Sequence, residues 1–204
     1  MKYKAIIWDF GGVITSSPFE AFNAFEEANS LPKDIIRTIN SENPDMNAWA
    51  QFESNSITIG QFNDLFLKEA KAKGFDIKGR DIIKLLKGSI RENMVSFLRE
   101  LKSDFKLGCI TNNVKSSSEE NTDNETEEAM SIFDHVIESS LVGIRKPNPE
   151  IYMMSCDALN VSPDQCIYLD DLGINLKPAR ELGMMTIKVI QPEDAIQEVR
   201  NLLK

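Results

Sequence analysis

Five side chains able to do polar chemistry stand where apolar runs give out. Asp9 follows AIIW, Thr111 follows KLGCI, Lys146 lies in GIRKPNPEIY, and Asp170 and Asp171 follow CIYL. An open α/β sheet binds its ligands outside the carboxyl ends of its strands, so such endings predict a shared site. Three carboxylates at neighbouring strand ends repel one another unless a cation offsets them. An all-oxygen set without histidine or paired thiolates suits Mg2+. With that charge offset, Asp9 is placed to attack phosphorus and form an aspartyl phosphate. Lys146 would counter the phosphoryl charge, and Thr111 would donate its hydroxyl to a phosphoryl oxygen. Backbone N–H groups at Gly11 and Asn112 would assist, with Gly11 and Gly12 keeping the approach open.

The elements that must carry these residues are legible as strand-like runs at Ala5–Trp8, Lys106–Ile110, His135–Ile137, Cys166–Leu169 and Met185–Ile190. Helical stretches separate them after the second, which predicts βαβ units and a parallel sheet. Between Thr15 and about Asn93 the apolar residues recur at helical intervals instead. Phe62, Leu65, Phe66 and Ala70 mark one helix, with Thr58 and Gln61 spaced as its capping box. Phe19, Phe22, Ala24 and Phe25 mark a second, Trp49 and Phe52 a third, and Ile82 to Leu86 a fourth. A further amphipathic helix carrying Ile90, Met94, Phe97, Leu98 and Leu101 leads back to the sheet. The expected division is therefore a core of 1–14 and 94–204 around a helical insertion, 15–93. The polar run KSSSEENTDNETEEA, 115–129 with its acidic loop at 116–128, reads as a solvated loop.

Composition narrows the function. The 204 residues carry a formal charge of -9, which argues against nucleic acid and anionic membrane as partners. No apolar run has the roughly 18 residues needed to span a bilayer, and the start lacks a signal-peptide pattern, so a cytoplasmic protein is expected. His135 is the one histidine, which leaves no room for a His-based triad or a multi-histidine metal site. Cys109, Cys156 and Cys166 are odd in number and unpaired in spacing, and read as buried, reduced packing residues.

WDFGGV, CITNN, GIRKPNPEIY and YLDDLGINLKPARELGM together closely resemble the four motifs of the haloacid dehalogenase superfamily of hydrolases. Within it they look most like the amino-terminal phosphatase domain of soluble epoxide hydrolases and its relatives attached to acyl-CoA dehydrogenases. The resemblance implies a Rossmann-like three-layer α/β/α core with a parallel sheet and an inserted helical cap. It makes Asp9 the nucleophile and a metal ligand, adds the Gly11 carbonyl and Asp171 as ligands, and has Asp170 support the metal site. Thr111 and Lys146 keep the roles argued above. Asn175 matches a frequent polar position of the last motif, or simply bonds its own turn; Pro178 fits the first turn of the next helix.

Position 11 departs from the pattern. Phosphatases of this superfamily usually carry a second Asp there as general acid and base, and losing such a group typically costs about 10²–10⁴ in rate. Glu20, Asp45 or a metal-bound water are open as replacements. Three functions follow as expectations: a Mg2+-dependent phosphatase of a small phosphorylated metabolite, acting as monomer or homodimer; a metal-free 2-haloacid dehalogenase; or a catalytically weak binding or regulatory homologue.

Overall fold

A computed structural model describes residues 2–114 and 124–204. Its five strands are β1 (Ala5–Trp8), β2 (Lys106–Thr111), β3 (His135–Glu138), β4 (Cys166–Asp170) and β5 (Met185–Lys188). They form one parallel sheet in the order β3-β2-β1-β4-β5. The chain steps outward from β1 to β3, then returns to the other side of β1, so the switch point falls between β1 and β4. Trp8 pairs with Cys109 on β2 and Leu169 on β4, which puts the residues after all three strands side by side.

The helices are α1 (Pro18–Ala28), α2 (Ile35–Ser41), α3 (Ala48–Glu53), α4 (Ile59–Ala72), α5 (Gly79–Ile83), α6 (Glu92–Leu101), α7 (Asn124–Ser131), α8 (Ser139–Val142), α9 (Pro149–Leu159), α10 (Gly173–Glu181) and α11 (Pro192–Leu202). Side chains alternate across the sheet and bury both faces. Ile6 and Trp8 pack with Phe97 and Leu98 of α6 and Val199 of α11, while Ala5 and Ile7 pack with Tyr152 of α9 and Leu176 of α10. Three layers result, as expected.

Helices α1 to α5 enclose a separate cluster built on Phe22, Ile36, Phe52, Phe62 and Phe66. Phe62 stacks on Phe52 at 4.6 Å between centroids and meets Trp49 edge-on at 5.4 Å. Thr58 and Gln61 form the reciprocal cap of α4. Two crossings join this bundle to the sheet, and they pair with each other: Ser16 N–H donates to Ser89 O at 2.8 Å, and Arg91 N–H to Ile14 O at 2.9 Å.

Five local expectations are corrected. The helix leading back to the sheet begins at Glu92, and Ile90 lies before it, bridged to Thr15. The fourth insertion helix spans Gly79–Ile83, and Lys84–Leu86 tightens into a 3-10 turn. The last strand stops at Lys188, leaving Ile190 exposed. Residues 124–128 are not loop: Asn124–Ser131 is helical because Ala129 and Met130 reach the sheet's core and the glutamates favour the helix's amino end; 116–123 lie outside the described residues. Pro178 sits inside α10 rather than in its first turn. The helix starts earlier, at Gly173, because Leu172 N–H and Asn175 Nδ2 bond back to Asp170 as soon as β4 ends. The three cysteines are free and buried, as read from the sequence.

Candidate active site

Asp9, Thr111 and Asp170 stand at the ends of β1, β2 and β4, and all three are buried. Carboxylate oxygens of Asp9, Asp170 and Asp171 lie within 4.8 Å of one another. Lys146, in the turn before α9, drives its fully buried ammonium between them, 2.7 Å from Asp9 Oδ1 and 2.9 Å from Asp170 Oδ2. Burial opposes that charge, but Asp170 and Asp9 outweigh it and hold Lys146 protonated above its usual range. Burial pushes the Asp9 carboxyl up against the pull of Lys146, with Asp170 and Asp171 adding to the rise. Asp171 is pushed up to about 6 by burial and by Asp170.

The carboxylates are not equivalent. Asp170 accepts from Lys146, from Tyr168 Oη at 2.5 Å, from Leu172 N–H at 2.8 Å and from Asn175 Nδ2 at 3.1 Å. Its lone pairs are spent on protein donors. Asp9 receives its bonds from Lys146 and from Phe10 N–H, each at 2.7 Å, on Oδ1, and Oδ2 takes none of them. Asn175 thus buttresses Asp170 rather than only its own turn, and its carbonyl accepts from Tyr152 Oη at 2.8 Å.

The two glycines differ. Gly12 has φ +79°, and a Cβ there would stand 2.4 Å from Asp171 Oδ2, so only glycine lets the loop after β1 meet that carboxylate. Its carbonyl accepts from Arg91 Nη1 at 3.0 Å. At Gly11, among the described residues, nothing lies within 4 Å of an added Cβ. No steric demand explains the missing side chain. Glu20 and Asp45 are exposed.

Asn112 grips the Lys146 backbone from both sides: Oδ1 accepts Lys146 N–H at 2.8 Å, and Nδ2 donates to Lys146 O at 3.0 Å. Tyr168, Arg91, Arg145 and Glu53 also serve this region, and none stood out in the sequence. Burial raises the Glu53 carboxyl, with Arg145 opposing. Arg145 and Tyr168 had a signal only in lying inside quoted motifs, as neighbours of Lys146 and Asp170.

A fold of this order, with an acidic strand-end cluster bridged by a buried lysine, defines a class of hydrolase. The haloacid dehalogenase-like hydrolase family model matches residues 3–183, and the chain belongs to that family. Mouse acyl-CoA dehydrogenase family member 10 is 32% identical over 99% of this chain, and mouse bifunctional epoxide hydrolase 2 is 30% identical over 99%. The chain spans 19% and 39% of those two proteins. A sesquiterpene phosphatase of Aspergillus oryzae is 27% identical, with 98% of this chain and 97% of that protein covered. A haloacid dehalogenase family enzyme of Bacteroides thetaiotaomicron, solved with magnesium and inorganic phosphate, shares the fold at TM-score 0.60 and 19% identity, covering 91% of this chain and 93% of that one. The chain thus belongs to a family of hydrolases and has phosphatases among its relatives. Among the described residues no helix is long and apolar enough to cross a membrane.

Proposed function

We propose that this protein is a Mg2+-dependent phosphatase of a small phosphorylated metabolite, working through an aspartyl phosphate on Asp9. One observation carries the reading: a buried lysine bridges Asp9 and Asp170 while Asp171 completes an acidic cluster open to a cation. The donor set is all oxygen, as Mg2+ requires, with Asp9, Asp171 and the Gly11 carbonyl as ligands and Asp170 as support. When bound, the ion offsets the cluster's negative charge and lets a phosphate dianion approach. The phosphatase relatives point to the same substrate class.

In the first step Asp9 Oδ2 attacks phosphorus in line, the bond to the leaving oxygen breaks, and the leaving group departs with its electron pair. Lys146 holds Asp9 in place and meets the phosphoryl charge. Thr111 and the N–H groups of Gly11, Gly12 and Asn112 donate to phosphoryl oxygens. In the second step water attacks the acyl phosphate, releasing phosphate and restoring the Asp9 carboxylate. Gly11 offers no proton to the leaving oxygen, so acidic leaving groups are favoured. Residues 15–93 act as a cap over the core of 1–14 and 94–204, and the protein works in the cytoplasm as a monomer or homodimer.

Phosphate release from p-nitrophenyl phosphate tests this. Turnover should require Mg2+, stop with EDTA, and vanish in Asp9→Asn. Full activity in Asp9→Asn would refute the mechanism; chloride release from 2-chloropropionate in EDTA would favour dehalogenation instead.

A further inference from the structure

Glu53 closes α3 at the seam between the helical insertion and the sheet, and its side chain is only 9% exposed. Its Oε2 accepts from Arg145 Nε at 2.7 Å and from Asn112 Nδ2 at 3.3 Å, and its Oε1 accepts from Trp49 Nε1 at 2.8 Å. Its backbone carbonyl accepts from Ser139 Oγ, in α8, at 2.8 Å. Arg145 donates onward to Pro44 O at 3.0 Å, so the insertion grips this arginine twice.

The partners are adjacent to the reacting residues. Asn112 follows Thr111, and Arg145 precedes Lys146. A carboxylate only accepts, so Glu53 Oε2 adds a second acceptor, beside Lys146 O, that holds the Asn112 amide N–H on this side. That orientation leaves Asn112 Oδ1 facing the Lys146 N–H, the bond that fixes the lysine's backbone. Lys146 Nζ must in turn meet Asp9 and Asp170 at 2.7 and 2.9 Å. Displacing a reacting group by about 1 Å can cost on the order of 10²-fold in rate. With both oxygens receiving hydrogen bonds, Glu53 is held as an acceptor and is not placed to protonate a leaving group.

We infer that Glu53 is a positioning residue, through which the helical insertion sets the geometry of the two loops carrying Thr111 and Lys146. This rests on the phosphoryl-transfer reading above. It makes the insertion part of the catalytic apparatus, since lifting α3 away would release both loops at once.

The test compares Glu53→Gln, Arg145→Gln and the double variant by kcat and KM for p-nitrophenyl phosphate, by vanadate inhibition with Mg2+, and by Tm. Glu53→Gln should lower kcat roughly 10- to 100-fold and weaken vanadate inhibition comparably, with a smaller change in KM. A lone substitution also strands the partner's charge, so the double variant should recover Tm while kcat stays low. If Glu53→Gln does not fold, the double variant carries the comparison with wild type. Unchanged kcat and vanadate inhibition in Glu53→Gln, or kcat recovering with Tm in the double variant, would overturn the inference. A wild-type protein that neither releases phosphate nor is inhibited by vanadate would remove the phosphoryl-transfer reading itself, and this inference with it.

Discussion

Gly11 leaves room for a side chain two residues after Asp9, and its φ is not in the left-handed region. Gly11→Asp should therefore fold and restore a proton donor beside the leaving oxygen. For an alkyl phosphate kcat should rise roughly tenfold or more, and the dependence of rate on leaving-group pKa should flatten. Equal dependence in both proteins, with phosphoryl transfer limiting, would deny Gly11 its assigned effect. Asp171 makes a second residue-level prediction. Its folded pKa, about 6, stands above the ordinary 3.8, so without metal its contribution to stability is present at low pH and lost as pH rises through 6. Mg2+ held by this cluster would take the ionised form and offset that loss. Mg2+ should raise Tm more at pH 8 than at pH 5, and equal shifts at the two values would contradict the metal site.

Helix contacts inside the insertion depend on polar groups as well as on its aromatic core. Glu26 of α1 is buried, and its two oxygens accept the N–H groups of Asp34 at 2.7 Å and Ile36 at 2.9 Å, pinning the start of α2. Glu26→Ala leaves both donors without that acceptor and should cost about 2–4 kcal/mol in urea unfolding. A change too small to measure would show that water replaces the carboxylate. Such contacts explain what the sequence could and could not reveal. Strands β1, β2 and β4 are readable because short apolar runs end abruptly in Asp or Thr, and α4 because its cap and its apolar stripe agree. Pro178 misled, since the bonds that start α10 early come from Asp170 and are not written in the helix's own residues. Residues 124–128 misled because their polarity hid the two apolar side chains that follow.

At the scale of the whole molecule, the site is assembled from pieces far apart in the chain. Lys146 and Asp170 are 24 residues apart, Arg91 lies 79 from Gly12, and Glu53 lies 92 from Arg145. The first pair was legible because each residue belongs to a motif with its own strand ending. The others were not, because docking of the insertion on the sheet follows from shape and no local pattern announces it. Everything then turns on Asp9. Protein mixed with Mg2+ and p-nitrophenyl phosphate, quenched in acid and mapped by peptide mass spectrometry, should carry one phosphoryl group on Asp9 and none when EDTA is added first. A protein that releases phosphate with Asp9 never modified, even when quenched during the first turnover, would contradict the covalent mechanism.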